Sequence, residues 1–432
     1  MNLKFILGRS GSGKTHYCLQ AIRAELSRGA QGYPLILLVP EQATFQMEQA
    51  LLADDQPAGY HRAQVVSFAR LARLVLQQTE PPAAATLSSS AKQMILRRLL
   101  QQYRDKLTIF ARSADRAGFI AELSRLISEL RQYQKTPEQL LEQRQQLLQQ
   151  DNPHLMGLTD KLTDLALIYR AYQDYIADRF IDPDDFLDLL TIRCERAEIL
   201  REAQLWVDGF AGFTPQQYNA LKAIVKQVDR AQITLCLDPQ SEQFRLADDP
   251  APTEVSLEDT DLFHPTLQTY RRLRRLFAEG QGYPLEKIIL PDEGAPPPGA
   301  ASGVVMPRFG HSSVLAQLEH NLFGTGNVQK IMPRQGVGMP AGPDDIPVKD
   351  IVIAETAQRR QEVEAVAAHI LRLCREHNYR FRDIAVILRD FADYQQLLEA
   401  AFTDHGIAYF LDQRRSVRHH PLIELLRSVV QV

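Results

Sequence analysis

Residues 8–15 read Gly-Arg-Ser-Gly-Ser-Gly-Lys-Thr and directly follow the apolar run Leu3-Lys4-Phe5-Ile6-Leu7. A G-x-x-x-x-G-K-T turn between a short strand and a helix starting near Thr15 is a phosphate loop in the setting that gives the motif meaning. Gly8, Gly11 and Gly13 let the backbone bend until several N–H groups face one point, where the helix N-terminus also favours negative charge. Lys14 is placed to reach the β- and γ-phosphates of a nucleotide, and the Thr15 hydroxyl to join a Mg²⁺ shell. Arg9, Ser10 and Ser12 complete the cradle. Glycine-rich strand–helix turns also serve packing alone, but the Lys-Thr pair and the preceding strand favour phosphate. Only Met1 to Leu7 precede the loop. The expectation is that no upstream segment clamps the base, so that nucleotide selectivity is weak or supplied from elsewhere.

The rest of the chain is built to the same α/β plan. Leu35-Ile36-Leu37-Leu38-Val39 is a continuous apolar run ending at Pro40, as expected of a parallel strand buried on both faces. Gln64-Val65-Val66-Ser67-Phe68 reads as another strand before a helix near Ala69. From about 87 to 200 the pattern turns helical. Phe119, Leu123, Leu126, Ile127 and Leu130 share one helix face, as do Leu155, Leu158, Leu162, Leu165, Tyr169, Tyr172 and Ile176. Thr136-Pro137-Glu138 and Asp182-Pro183-Asp184 are helix starts with proline at the first helical position. The core resumes with strands Leu205-Trp206-Val207-Asp208 and Ile233 to Asp238, separated by the capping box Thr214-Pro215-Gln216-Gln217. Gly280 to Ala301 and Gly324 to Asp345 are rich in proline and glycine and read as linker. A second α/β unit then begins, with strands Ile351-Val352-Ile353, Ile384 to Leu388 and Ala408 to Leu411. The sequence ends at Val432 within a helix begun at Leu422, which reads as a second core cut short.

Length and charge limit the partners. A chain of 432 residues accommodates two or three domains. Lys and Arg number 49 against 53 Asp and Glu, a net charge of −4, so a nucleic-acid path would have to be a local basic stripe or an aromatic-lined channel. No stretch approaches the roughly 18 apolar residues of a membrane helix, and the N-terminus reads as a core strand rather than a signal peptide. Cys18, Cys194, Cys236 and Cys374 are far apart and read as reduced thiols, in keeping with a cytoplasmic protein.

A phosphate-loop NTPase needs a carboxylate at the end of a neighbouring strand to hold Mg²⁺, and Asp208 is the candidate. In hydrolysing helicases the next residue is a glutamate that activates water; here it is Gly209. No Asp or Glu occurs between Asp208 and Asp229. Losing a general base costs about two to four decades of rate, so the expectation is nucleotide binding with weak or absent hydrolysis. Gln240, in the turn Asp238-Pro239-Gln240-Ser241, has the place of a γ-phosphate sensor. Arg389, after Ile384 to Leu388, is placed to reach a nucleotide held between two cores; a plain surface arginine is the alternative.

Together these segments resemble the AddB (RexB-like) family of bacterial ATP-dependent helicase–nuclease subunits. The likeness rests on Phe5 to Thr15, Leu38-Val39-Pro40-Glu41-Gln42-Ala43-Thr44-Phe45, Val207-Asp208-Gly209-Phe210-Ala211-Gly212-Phe213-Thr214-Pro215-Gln216, Ala385 to Arg389 and His420-Pro421-Leu422. It implies two RecA-like, superfamily 1 helicase-like cores: 1–85 with 200–280 as the first, 86–199 as a helical insertion, 281–346 as linker and 347–432 as the start of the second. It also implies a DNA-recognition subunit with little motor activity that holds a single strand of broken double-stranded DNA, helps read the Chi sequence and pairs with an AddA-like helicase–nuclease. Family members carry a C-terminal nuclease with an iron–sulfur cluster on four cysteines, to which the cysteines here do not correspond. Loops after the core strands face DNA in such proteins. Gln42, Thr44, Phe68, Arg70 and Phe210 are therefore the candidate contacts, the rings for stacking and Gln42 and Arg70 for base edges. Phe68 and Phe210 as ordinary core residues are the alternative. A phosphate-loop kinase of a small molecule, or a scaffold with a vestigial site, remain the other readings.

Overall fold

A computed structural model describes residues 2–29, 31–52, 61–79, 84–149, 155–249, 257, 259–279, 282–291, 307–309, 312–322, 350–411 and a few positions between 421 and 429. Two compact units are distinguished, Met1–Met339 and Pro340–Val432.

The first unit is built on β1 (Asn2–Gly8), α1 (Lys14–Ser27), β2 (Leu35–Leu38), α2 (Thr44–Leu52), β3 (Ala63–Val66) and α3 (Phe68–Gln78). The chain then leaves the sheet for β4 (Ala85–Thr86), α4 (Ser89–Gln102), α5 (Ala117–Gln132), α6 (Pro137–Leu148), α7 (Met156–Ile176), β5 (Phe180–Ile181) and α8 (Phe186–Arg193). It returns with β6 (Gln204–Val207), α9 (Pro215–Val225), β7 (Arg230–Cys236), α10 (Glu242–Asp248), α11 (His264–Arg274), β8 (Leu285–Ile289) and α12 (Ser313–Asn321). The main sheet has six strands in the order β3-β2-β6-β7-β1-β8, and every neighbouring pair is parallel.

Both faces of the sheet are covered, which is why its strands are almost wholly apolar. Leu3, Phe5 and Leu7 point to one side with Val207 and Leu235, under α3, α8, α9 and α11. Ile6, Leu35, Leu37 and Trp206 point to the other, against Cys18 and Ile22 of α1. The helical block has a core of its own, drawn from α4, α5, α6 and α7. The block is also pinned by charge. Lys92, buried, meets Asp182 at 3.1 Å and also Asp184, and the Tyr172 hydroxyl donates to Asp182 at 2.7 Å. The last helix of the block, α8, contributes Leu190 to the core of the sheet. Gln216 of α9 donates to the Asp184 carbonyl and to Asp188 at 2.7 and 2.9 Å.

Three local expectations are revised. Phe68 opens α3 instead of closing β3, because the Ser67 hydroxyl accepts the Arg70 N–H and starts the helix there. The region expected as linker contributes β8, an edge strand whose Leu285 to Ile289 pair with Leu3 to Leu7. In the second unit α13 (Arg359–Glu376) and α14 (Phe391–Asp404) pack on each other. The three strands expected at 351–353, 384–388 and 408–411 carry no ladder pairing among the described residues. The helices shield one side of these segments, burying Ile407 and partly burying Ile384 and Leu388. Ile353, Ile387 and Phe410, at 94%, 92% and 87% exposure, have no such cover. The glycine-rich stretch 324–345, His420 and most of the helix expected over 422–432 lie outside the described residues.

Candidate functional site

The sheet order brings the functional loops to one edge. The loop after β1 carries residues 8–15, with Gly11 and Gly13 at φ +79° and +94°; these left-handed conformations are open to glycine at little cost. Lys14 folds back over the loop and donates to the carbonyls of Gly8 and Arg9 at 2.7 and 2.8 Å and to the Ser12 hydroxyl at 3.3 Å. Its ammonium thus sits at the point on which the loop converges. Burial pulls its pKa below the ordinary lysine value, against the opposing pull of Cys236 and Asp208. An anion arriving there would restore favourable charge.

Asp208 follows β6, one strand removed from β1 across β7. The Thr15 hydroxyl donates to its Oδ2 at 2.7 Å, while Thr234 of β7 donates to Oδ1. Thr234 is a support that sequence reading missed, since it lies mid-strand with nothing local to mark it. Among the described residues no group of three or more His, Cys, Asp or Glu side chains is arranged to hold a metal. A Mg²⁺ here would therefore lean on Thr15, Asp208 and the phosphates of the nucleotide itself. That donor set is hard oxygen and fits the ion.

A cleft of about 840 Å³ opens over this loop, lined by Ser10 to Tyr17, Cys236 and Pro291 among others. None of its described lining residues is a carboxylate. The residue after Asp208, Gly209, holds φ +82° with its α-carbon beside the Pro40 ring. Water activation therefore has no carboxylate at either place. Gln240 is exposed in the turn before α10 and does not line the cleft. Two residues earlier, Asp238 instead reaches Arg9 at 3.0 Å. Arg389 belongs to the second unit, exposed after the segment 384–388.

The DNA candidates gather at the ends of β2, β3 and β6. Gln42 is exposed in a short turn, where the Thr44 hydroxyl caps the Glu41 carbonyl at 2.9 Å. Arg70 is exposed but engaged, donating to Glu48 at 2.9 Å. Phe210 and Phe213 are half-buried and stack on each other with centroids 5.0 Å apart. Phe68, only 5% exposed, meets both edge-on at 5.6 and 6.1 Å. It supports the two outer rings and offers no free face to a base. Phe213 and Arg272 were not foreseen. Phe213 meets Tyr218 at 5.4 Å, and the exposed Arg272 guanidinium lies 4.2 Å above the Tyr218 ring. The second phenylalanine of the 210–213 turn was the available signal for Phe213; Arg272 had none.

Comparison with known proteins places these loops in a family context. Residues 5–319 match the family model described as ADDB, N-terminal. A Desulforudis audaxviator protein, named as the B-type subunit of an ATP-dependent helicase/deoxyribonuclease, is 41% identical over 431 residues, covering 100% of this chain and 34% of its own length. Proteins of the same name from Pelotomaculum thermopropionicum and Geobacillus kaustophilus are 40% and 35% identical, again over 100% of this chain and 34% of theirs. The chain thus spans about a third of the length of these relatives. Among the described residues no helix is long and apolar enough to cross a membrane.

Proposed function

The chain belongs to the AddB N-terminal family, and on that premise we propose that it is a nucleotide-binding, helicase-like DNA-recognition subunit of a complex that processes double-strand breaks. The observation that carries this reading is the turn Asp208-Gly209-Phe210. Its first residue is bonded to Thr15 of the phosphate loop, and its third meets the rings of Phe68, after β3, and Phe213, after β6. Three consecutive residues thus link a phosphate site to an aromatic platform, the arrangement needed if nucleotide and single strand are to sense each other.

In this reading Lys14 and the loop N–H groups hold the phosphates of ATP, and Thr15 and Asp208 hold Mg²⁺. The absence of a carboxylate at 209 and in the cleft lining supports binding without brisk turnover. Phe210, Phe213 and Arg272 offer stacking and charge to unpaired bases, and Gln42 and Thr44, after the adjacent strand β2, offer hydrogen bonds. Recognition of a Chi sequence, an AddA-like partner that supplies the motor, and work on nucleoid DNA in the bacterial cytoplasm follow from the family as proposals. A small-molecule kinase would need an acceptor site, and the described lining of the cleft offers no acidic group to serve as its base.

Fluorescence anisotropy of a labelled single-stranded oligonucleotide, titrated with the chain at several salt concentrations, tests the DNA half. Binding that weakens with salt is expected. No binding at low salt, by the chain alone or with its partner protein, would refute it.

A further inference from the structure

The segment 307–322, which sequence reading assigned to a linker, lies on the phosphate loop. In the turn Pro307–Phe309 the Arg308 N–H donates to the Gly11 carbonyl at 3.4 Å. A Cβ at Gly11 would stand 3.0 Å from the Phe309 ring and 3.1 Å from the Arg308 Cβ. A side chain at position 11 would crowd both and strain a backbone already at φ +79°. Further along, α12 closes on the loop again through Glu319. Its carboxylate accepts from Arg9 Nε at 2.9 Å, and its main-chain carbonyl accepts from Arg9 Nη2 at 2.6 Å. Asp238 takes another edge of the same guanidinium at 3.0 Å, and the Phe263 ring lies 5.6 Å from it. The Arg9 and Glu319 side chains are only 12% and 15% exposed. Such a shielded, two-bond contact holds far better than a surface ion pair.

Arg308 differs from Arg9. Among the described residues its guanidinium has no hydrogen-bond or ion-pair partner, and it lines the same cleft as Ser10, Gly13 and Lys14. Two cations facing one cleft repel unless an anion lies between them. A planar guanidinium matches phosphate oxygens, and phosphate-loop proteins do use an arginine supplied in cis near the γ-phosphate. We propose that the turn 307–309 and α12 with its cap, 312–322, form a lid on the nucleotide cleft. In it Arg308 is a second cationic ligand, beside Lys14, for the β- and γ-phosphates of a nucleoside triphosphate, and Arg9 is a positioning residue that holds the lid through Glu319. With no carboxylate at 209 or in the described cleft lining, this second cation serves retention of the triphosphate. The inference rests on the nucleotide reading above.

Equilibrium binding of Mg·ATP and Mg·ADP to the intact chain, to Arg308→Ala, to Glu319→Gln and to Lys14→Ala separates the two. Arg308→Ala should lose about tenfold or more in ATP affinity, as for one charge-assisted hydrogen bond, and less for ADP. Glu319→Gln should lose less than Arg308→Ala. Amide exchange adds a readout independent of affinity: Mg·ATP should slow exchange across 307–322 in the wild type and leave it unchanged in Lys14→Ala. Wild-type ATP affinity in Arg308→Ala, or exchange in 307–322 indifferent to Mg·ATP, would overturn the lid while the phosphate loop stands. If wild type and Lys14→Ala bind ATP equally, or neither binds it, the nucleotide reading falls and the lid with it.

Discussion

Replacing Gly209 tests whether the backbone itself forbids the missing glutamate. At φ +82° a residue with a side chain sits in the left-handed region, at a cost of about 1–2 kcal/mol. A Cβ there would also stand 3.3 Å from the Pro40 Cδ, a contact tight enough to require a small shift of the ring. Gly209 is exposed, so an ordinary surface substitution would change stability by only about 0.5 kcal/mol either way. Gly209→Ala and Gly209→Glu should therefore each lose about 1–2 kcal/mol in urea denaturation, and Gly209→Asn less, since asparagine tolerates this conformation. Relief of the strain would move the turn that aims Asp208 at Thr15. Gly209→Glu should for that reason hydrolyse ATP no faster than the wild type, with or without single-stranded DNA. A Gly209→Glu protein as stable as wild type, with DNA-stimulated turnover near the roughly 10 s⁻¹ typical of enzymes, would refute the argument.

The aromatic platform separates stacking from support. Phe210→Ala should weaken single-strand binding by about 1–3 kcal/mol per lost base stack with the fold intact. Phe68→Ala should instead destabilise by about 3–5 kcal/mol in a thermal or urea melt; equal effects of the two on the melt would contradict the assignment. In the helical block, Lys92→Met leaves Asp184 without a cation and Asp182 with only Arg131, at 3.7 Å, and should cost about 3–5 kcal/mol at neutral pH. Burial alone would push the Asp182 carboxyl up, but Lys92, Tyr172 and Arg131 together hold it below the ordinary range. A depressed folded pKa gives stability that is complete above the unfolded value of about 3.9 and is lost as pH falls through the folded one. The gap between wild type and Lys92→Met should accordingly be widest near neutrality and narrow in acid; a gap constant from pH 7 to pH 3 would contradict the pairing.

What was legible in the sequence was whatever is encoded over a few neighbouring residues. The phosphate loop, the capping boxes at Thr136 and Thr214 and the strand ending before Asp208 all rest on short-range hydrogen bonds and spacing. The edge strand β8 escaped because Leu285-Glu286-Lys287-Ile288-Ile289 carries charge on an open face and lies among prolines and glycines. Phe68 was misjudged by a step because Ser67 can end a strand or cap a helix, and the cap prevailed. The partners of Arg9 could not be read at all. Asp238, Phe263 and Glu319 come from three separate segments, and only the closed sheet and the docked α12 bring them to one guanidinium. The unpaired second-unit segments show the converse: apolar runs announce strands, but pairing needs neighbours.

The strand order also sets when the proposed nucleotide site can come into existence. β1, which leads into the phosphate loop, pairs with β7 and β8 and with nothing nearer in the chain. The helical block from Ser89 to Ile176 is closed by contacts among its own helices, α4 on α5 and α7 and α6 on α7, and needs neither. During synthesis at about 5–20 residues per second, β1 must wait on the order of 10–50 s for Cys236 of β7 to be made, and longer for β8. The block can fold in that interval, since its contacts are local. β1 is thus among the last strands of the sheet to find a partner, and a ribosome stalled before β7 would carry a folded helical domain tethered to an unpaired apolar strand. Such a strand is a natural client for a chaperone.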